Sequence, residues 1–118
     1  MSPITTHVLD TSTGHAAPNM EVRLDRRASA REWTQIAVGR TDHDGRIKDF
    51  SSLAGSKRFE PGVYRLVFDT AGYFEPRQIE SLYPYVEIVF TVSWTNPARY
   101  YHLPLLISPF GYTTYRGS

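Results

Sequence analysis

The feature that most restricts the fold of this chain is a two-residue rhythm. Met20, Val22 and Leu24 alternate with Glu21, Arg23 and Asp25, and further on Tyr64, Leu66 and Phe68 face one way while Val63, Arg65 and Val67 face the other. A period of two places alternate side chains on opposite faces of a strand, whereas a helix would need 3.6. YVEIVFTVSW, residues 85–94, is the clearest strand: it is rich in β-branched and aromatic residues, and Val86, Ile88, Phe90 and Val92 share one face.

Between these runs lie turn-forming clusters: TGHAAPN at 13–19, DHDG at 42–45, FEPG at 59–62 and TNPAR at 95–99. Asp44-Gly45 predicts a type I′ turn, since glycine reaches positive φ at no steric cost and aspartate tolerates it. Arg46 should emerge directly from that turn. One short helix is expected in TAGYFEPRQIES after Asp69, with Thr70 as its cap and Gly72 and Pro76 limiting its length. Pro104 cannot donate to a ladder, so the strand around His102 is expected at a sheet edge or to be irregular. RRASARE at 26–32 and the stretch 51–60 read as ordinary loop variation. Seven or eight strands with regular turns predict an all-β fold, a two-sheet antiparallel β-sandwich with one short helix. The 118 residues form one domain, 1–118, with no internal repeat, and a chain of this length can bury roughly two thirds of its unfolded surface.

Charge narrows the function. Thirteen Lys and Arg against twelve Asp and Glu leave a net charge of +1, too little for a surface that binds nucleic acid through its phosphates. No stretch approaches the roughly 18 apolar residues of a membrane helix, and MSPITTHVLD lacks a basic region followed by an apolar one, so neither membrane nor secretion is expected. The absence of cysteine excludes thiolate nucleophiles and Cys-based zinc sites and suits a reducing compartment. The expected location is cytoplasmic.

The remaining chemistry lies in four histidines and the arginines. His7 and His102 sit inside apolar strands, while His15 and His43 fall in turns and read as solvated. Histidine is the best side-chain base near neutral pH, although a strand histidine is more often a hydrogen-bonded structural group. No HExxH, His-x-His or Cys-x-x-Cys occurs, so neither a metal nor a cofactor is expected. A G-x-S-x-G elbow is also missing, which argues against a serine hydrolase. Taken singly, Arg46 reads as a solvated strand residue, Tyr115 as edge packing, Arg116 as a surface cation, and Gly117 with Ser118 as a frayed end.

Together, however, HVLDT at 7–11 followed by Gly14, DGR at 44–46, YRLVFDT at 64–70, YPYVEIVFTV at 83–92 and the closing YHLPLLISPFGYTTYRGS resemble the transthyretin-related 5-hydroxyisourate hydrolases. The likeness spans nearly the whole chain, and its most specific piece is the final Tyr-Arg-Gly-Ser. The resemblance implies a transthyretin-like sandwich of eight strands that assembles as a homotetramer, a dimer of dimers, with its sites in clefts at the subunit interface. It implies hydrolysis of 5-hydroxyisourate to 2-oxo-4-hydroxy-4-carboxy-5-ureidoimidazoline in urate breakdown. By the same resemblance His7, Arg46, His102 and Ser118 are catalytic, while Tyr115, Arg116 and Gly117 bind substrate. Opening a cyclic amide needs an activated water, a stabilised oxyanion and a held ring. One histidine would take the water's proton and the other would orient the water or protonate the departing nitrogen; the sequence leaves open which does which. The alternative is a non-enzymatic carrier of small ligands on the same fold.

Overall fold

The alternating segments pair into two sheets that close face to face over one apolar core. The computed structural model describes residues 4–50, 59–93 and 100–118. The expected turn at 95–99, Trp94 and most of 51–60 lie outside the described residues. Along the chain run β1 (Ile4–Asp10), β2 (His15–Ala16), β3 (Glu21–Ser29), β4 (Glu32–Arg40), β5 (Arg46–Ile47), β6 (Gly62–Phe68), α1 (Thr70–Phe74), a 3-10 turn (Glu75–Arg77), β7 (Val86–Val92), β8 (Tyr101–Ser108) and β9 (Gly111–Thr114). One sheet has the order β2-β1-β8-β9 with β5 also paired to β1; the other has the order β4-β3-β6-β7. The two-sheet all-β sandwich is therefore as expected, and so is the short helix after Asp69. No helix among the described residues is long and apolar enough to cross a membrane.

The inward faces are those the alternation specified. Val22, Leu24, Tyr64, Leu66 and Phe68 from one sheet meet Ile4, Val8, Leu105 and Ile107 from the other, all essentially excluded from solvent. Truncating any one of the leucines to alanine would cost about 2–5 kcal/mol, the lost transfer energy plus the cavity left behind. Asp10 is also fully buried, and it is satisfied there by the Tyr73 hydroxyl at 2.9 Å and the Ser12 amide at 3.0 Å. Burial, and then the bond to Asp10, pushes the Tyr73 hydroxyl up to about 12, so it stays a donor that ties α1 to the end of β1.

Three local expectations change. Arg26–Glu32 is not merely a loop, because β3 runs through Ser29 and β4 starts at Glu32, paired across the hairpin. Asp69 rather than Thr70 caps the helix: its carboxylate accepts from the Gly72 amide at 3.0 Å, while the Thr70 hydroxyl donates to the Tyr83 carbonyl. Only Gly45 takes positive φ in the DHDG segment (77°), so the connection is not type I′. It is a four-residue turn closed by the Gly45 amide on the Asp42 carbonyl at 2.9 Å.

A fourth expectation is narrowed, and it shapes the site. Of the two expectations for the strand around His102, edge or irregular, the second is what the structure has: β8 is an interior strand, hydrogen-bonded to β1 on one side and β9 on the other, with an interrupted ladder. The proline is tolerated because its nitrogen faces β9 where bridging lapses. The ladder ends at Leu105–Thr114 and resumes in the same register at His102–Gly117, skipping the Pro104 position that has no N–H to give. One pairing also departs from the antiparallel pattern, since β1 and β8 run parallel, with Thr5 opposite His102 and His7 opposite Pro104.

Candidate functional site

Three strands and the tail build the outer face of the β2-β1-β8-β9 sheet. In β1 the buried residues Ile4, Thr6 and Val8 alternate with half-buried Thr5 and His7 on the opposite face. Residues paired directly across strands share a face, so the register aligns Thr5 with His102 and His7 with both Pro104 and Arg46. His7 and His102 thus lie diagonally on neighbouring strands, although 95 positions separate them in the sequence.

The turn before β5 fixes Arg46. The Asp42 carboxylate accepts from the Asp44 amide at 2.9 Å and the Arg46 amide at 3.0 Å. Those bonds, the Arg46 one foremost, hold Asp42 below the usual carboxylate range. The Gly45 carbonyl takes a 2.7 Å bond from the Val8 amide, and a Cβ on Gly45 would strike the Val8 carbonyl. Only glycine therefore lets the turn lie against β1 and deliver Arg46 opposite His7.

The tail continues the hairpin. The Gly117 amide donates to the His102 carbonyl at 2.8 Å. The Arg116 guanidinium donates to the Tyr100 carbonyl at 2.9 Å and lies 4.6 Å over the Tyr101 ring. A Cβ on Gly117 would come within 2.6 Å of His102 Cδ2 and 3.1 Å of Pro104 Cγ, so the tail backbone presses on the edge of the imidazole ring. On the ring's other edge, Nδ1 lies 2.8 Å from the Thr5 hydroxyl.

These elements surround an open cleft of about 720 Å³ lined by Thr5, Thr6, Arg46, Ile47, Lys48, Tyr100, His102, Arg116, Gly117 and Ser118. Of the expected site residues, Arg46, His102, Arg116, Gly117 and Ser118 line it. His7 and Tyr115 are not among the lining residues: His7 sits behind His102 on the same face, and Tyr115 is an exposed side chain on the tail. Thr5, Lys48 and Tyr100 line the cleft without having been singled out in the sequence. The period-two spacing from His7 could have found Thr5.

Among the described residues no aspartate or glutamate lines this cleft, while Arg46, Lys48 and Arg116 do. Burial, followed by the charges of Arg46 and His7, lowers His102 below the ordinary histidine value of 6.5. His102 is thus neutral at pH 7, a base facing a cationic pocket. That arrangement can take a proton from water and stabilise negative charge on a carbonyl oxygen. His15 and His43 offer no such setting. His15 is exposed on β2, and exposed His43 pairs only with Asp44 at 3.4 Å.

Comparison with known proteins shows the family and the fold. Residues 4–117 match the HIUase/Transthyretin family. A 5-hydroxyisourate hydrolase of Mus musculus is 46% identical, over 99% of this chain and 96% of its own. The structure of Klebsiella pneumoniae 5-hydroxyisourate hydrolase is similar with a TM-score of 0.82 at 34% identity, covering 99% of this chain and 100% of that one. Sea bream transthyretin in complex with thyroxine is similar with a TM-score of 0.85 at 34% identity, covering 98% of this chain and 94% of that one.

Proposed function

Because the chain belongs to the HIUase/Transthyretin family, we propose that it is an enzyme that hydrolyses 5-hydroxyisourate, opening the ring to 2-oxo-4-hydroxy-4-carboxy-5-ureidoimidazoline in urate breakdown. The observation that carries the reading is the His102 imidazole in a cleft whose charged lining side chains, among the described residues, are all cations. A flat, oxygen-rich ring fits such a lining, and no resident metal or cofactor enters the scheme.

In the proposed reaction His102 takes a proton from water as the water oxygen bonds to the ring carbonyl carbon. The carbonyl oxygen becomes an oxyanion, which the planar fork of Arg46 stabilises. The carbon–nitrogen bond then breaks, the departing nitrogen takes back the proton, and a carboxylic acid remains that ionises at neutral pH. His7 orients the water or helps protonate the nitrogen, Arg116 and Gly117 hold the ring edge, and Ser118 completes the hydrogen-bonding rim. Tyr115 serves substrate binding only if a neighbouring copy brings it toward the cleft.

That condition fits the proposed homotetramer, a dimer of dimers with sites at subunit interfaces. Exposed Tyr85 beside β7, Val89 on β7 and Tyr112 on β9 support assembly, since these are the outer strands of the two sheets. The single domain over 1–118 and a cytoplasmic location, in keeping with a chain free of cysteine, belong to the same reading. The likeness to a thyroxine-bound transthyretin also favours a second reading, a carrier without chemistry. The test is the ultraviolet absorbance of 5-hydroxyisourate freshly made from urate. Saturable acceleration of its decay is expected, whereas binding without acceleration would favour the carrier.

A further inference from the structure

We propose that Thr5 is a positioning residue for His102, holding the proton on Nδ1 so that Nε2 is bare toward the cleft; this rests on the hydrolase reading. The two threonines of ITTHVLD have opposite employments. Thr6 faces the core, where its hydroxyl donates to the Leu103 carbonyl at 2.6 Å, a backbone tie inside the sheet. Thr5 faces outward, and its hydroxyl lies 2.8 Å from His102 Nδ1.

The ring is gripped on both edges. Nδ1 and Cδ2 flank the carbon that joins imidazole to the backbone; Thr5 meets the first and Gly117 the second. Nε2 lies on the part of the ring away from the backbone, and His102 is one of the residues lining the cleft. Neutral imidazole carries one N–H, and the hydrogen bond at one nitrogen decides whether the other is a donor or a bare base. Thr5 accepting from Nδ1–H makes Nε2 the base.

The identity of this partner matters as much as its position. A carboxylate on Nδ1 would favour imidazolium and raise the basicity of the ring. A hydroxyl can either accept from Nδ1–H or donate to a bare Nδ1, and in the accepting role proposed for Thr5 it holds the tautomer without adding charge. Among the described residues, the charged or titratable side chains around it are Arg46 and Lys48 from and beside β5, His7 from β1, Tyr100 just before β8, and Arg116 from the tail. When Nε2 takes the water's proton, Nδ1–H keeps its bond to Thr5, and only the Nε2 proton moves on to the departing nitrogen.

The test combines nitrogen-15 NMR of histidine-labelled protein with initial rates for the wild type, Thr5→Val and Thr5→Ser. Valine keeps the β-branched shape that suits a strand and removes only the hydroxyl. The expected result is a His102 ring with its proton on Nδ1 in the wild type and in Thr5→Ser, and loss of that single tautomer in Thr5→Val. With it, kcat of Thr5→Val falls about tenfold or more while KM stays within about twofold, and Thr5→Ser recovers most of the loss. A wild-type ring protonated on Nε2, or a Thr5→Val variant with unchanged kcat and nitrogen shifts, would overturn the proposal. If the wild type leaves 5-hydroxyisourate decay untouched, the hydrolase reading fails, and the nitrogen shifts alone still decide whether Thr5 sets the tautomer.

Discussion

The two sheets carry similar cations on their outer faces and treat them in opposite ways. On the β4-β3-β6-β7 sheet, Asp25 is nearly excluded from solvent between Arg65 at 2.7 Å and Arg23 at 3.0 Å, and Arg65 also reaches Glu87 at 3.3 Å. The same arginine lies 4.4 Å over the Trp33 ring. Each charge of this group is answered from within the sheet. On the β2-β1-β8-β9 sheet, Arg46, Lys48 and Arg116 have no ion pair among the described residues, and Arg116 meets a carbonyl and a ring instead. Cations that the fold answers itself are structure, and cations left facing a cleft await a charge or dipole from a ligand.

Substitutions can break that contrast. The largest effect is expected for His102→Asn: turnover of 5-hydroxyisourate falls by roughly 10²–10⁴-fold, the usual worth of a general base, while the melting temperature stays close to wild type. A loss of turnover that merely tracked unfolding would merge the two faces. Asp25→Ala should do the reverse, costing about 3 kcal/mol in urea unfolding by stranding two arginines, with kcat per folded molecule unchanged. An Asp25→Ala protein that is stable but inactive would move chemistry onto the wrong sheet.

Gly117→Ala sharpens the comparison within the cleft. Its Cβ must displace either the tail or the His102 ring, so kcat should drop about tenfold with little change in unfolding midpoint. The smallest effect concerns pH. His102 is depressed below 6.5, so the acid limb of kcat/KM lies below pH 6.5. The unfolded chain protonates this histidine first, so its contribution to stability is complete above 6.5 and declines as pH falls toward the folded value. Arg46→Gln removes one cause of the depression, and the acid limb should move upward. An unmoved limb in a pH profile would mean that the two groups do not interact.

The sequence revealed the fold because the signals for it are local. β3, β6 and β7 follow from alternation, and Gly45 from the need for positive φ where the backbone passes close to Val8. What escaped was non-local. Thr5 meets His102 through a parallel pairing of strands 97 positions apart, and no short window of sequence contains it. Pro104 left two readings open for a related reason, and the pairing chose between them: its missing N–H marks a lapse toward the tail, not an outer edge. Asp69 and Thr70 are both good caps by residue type, and packing against Tyr83 decided between them. The site residues His7, Arg46, His102 and the tail came from likeness to a family, whereas Lys48 and Tyr100 became visible only when the cleft took shape.

The most direct test of the contrast between the sheets is a titration with urate, a stable relative of the substrate, followed by amide and side-chain NMR shifts. The account predicts saturable changes at Thr5, Arg46, His102 and Gly117, with Arg23, Asp25 and Arg65 unmoved. Shifts clustered on Arg23, Asp25 and Arg65, with the cleft silent, would contradict it.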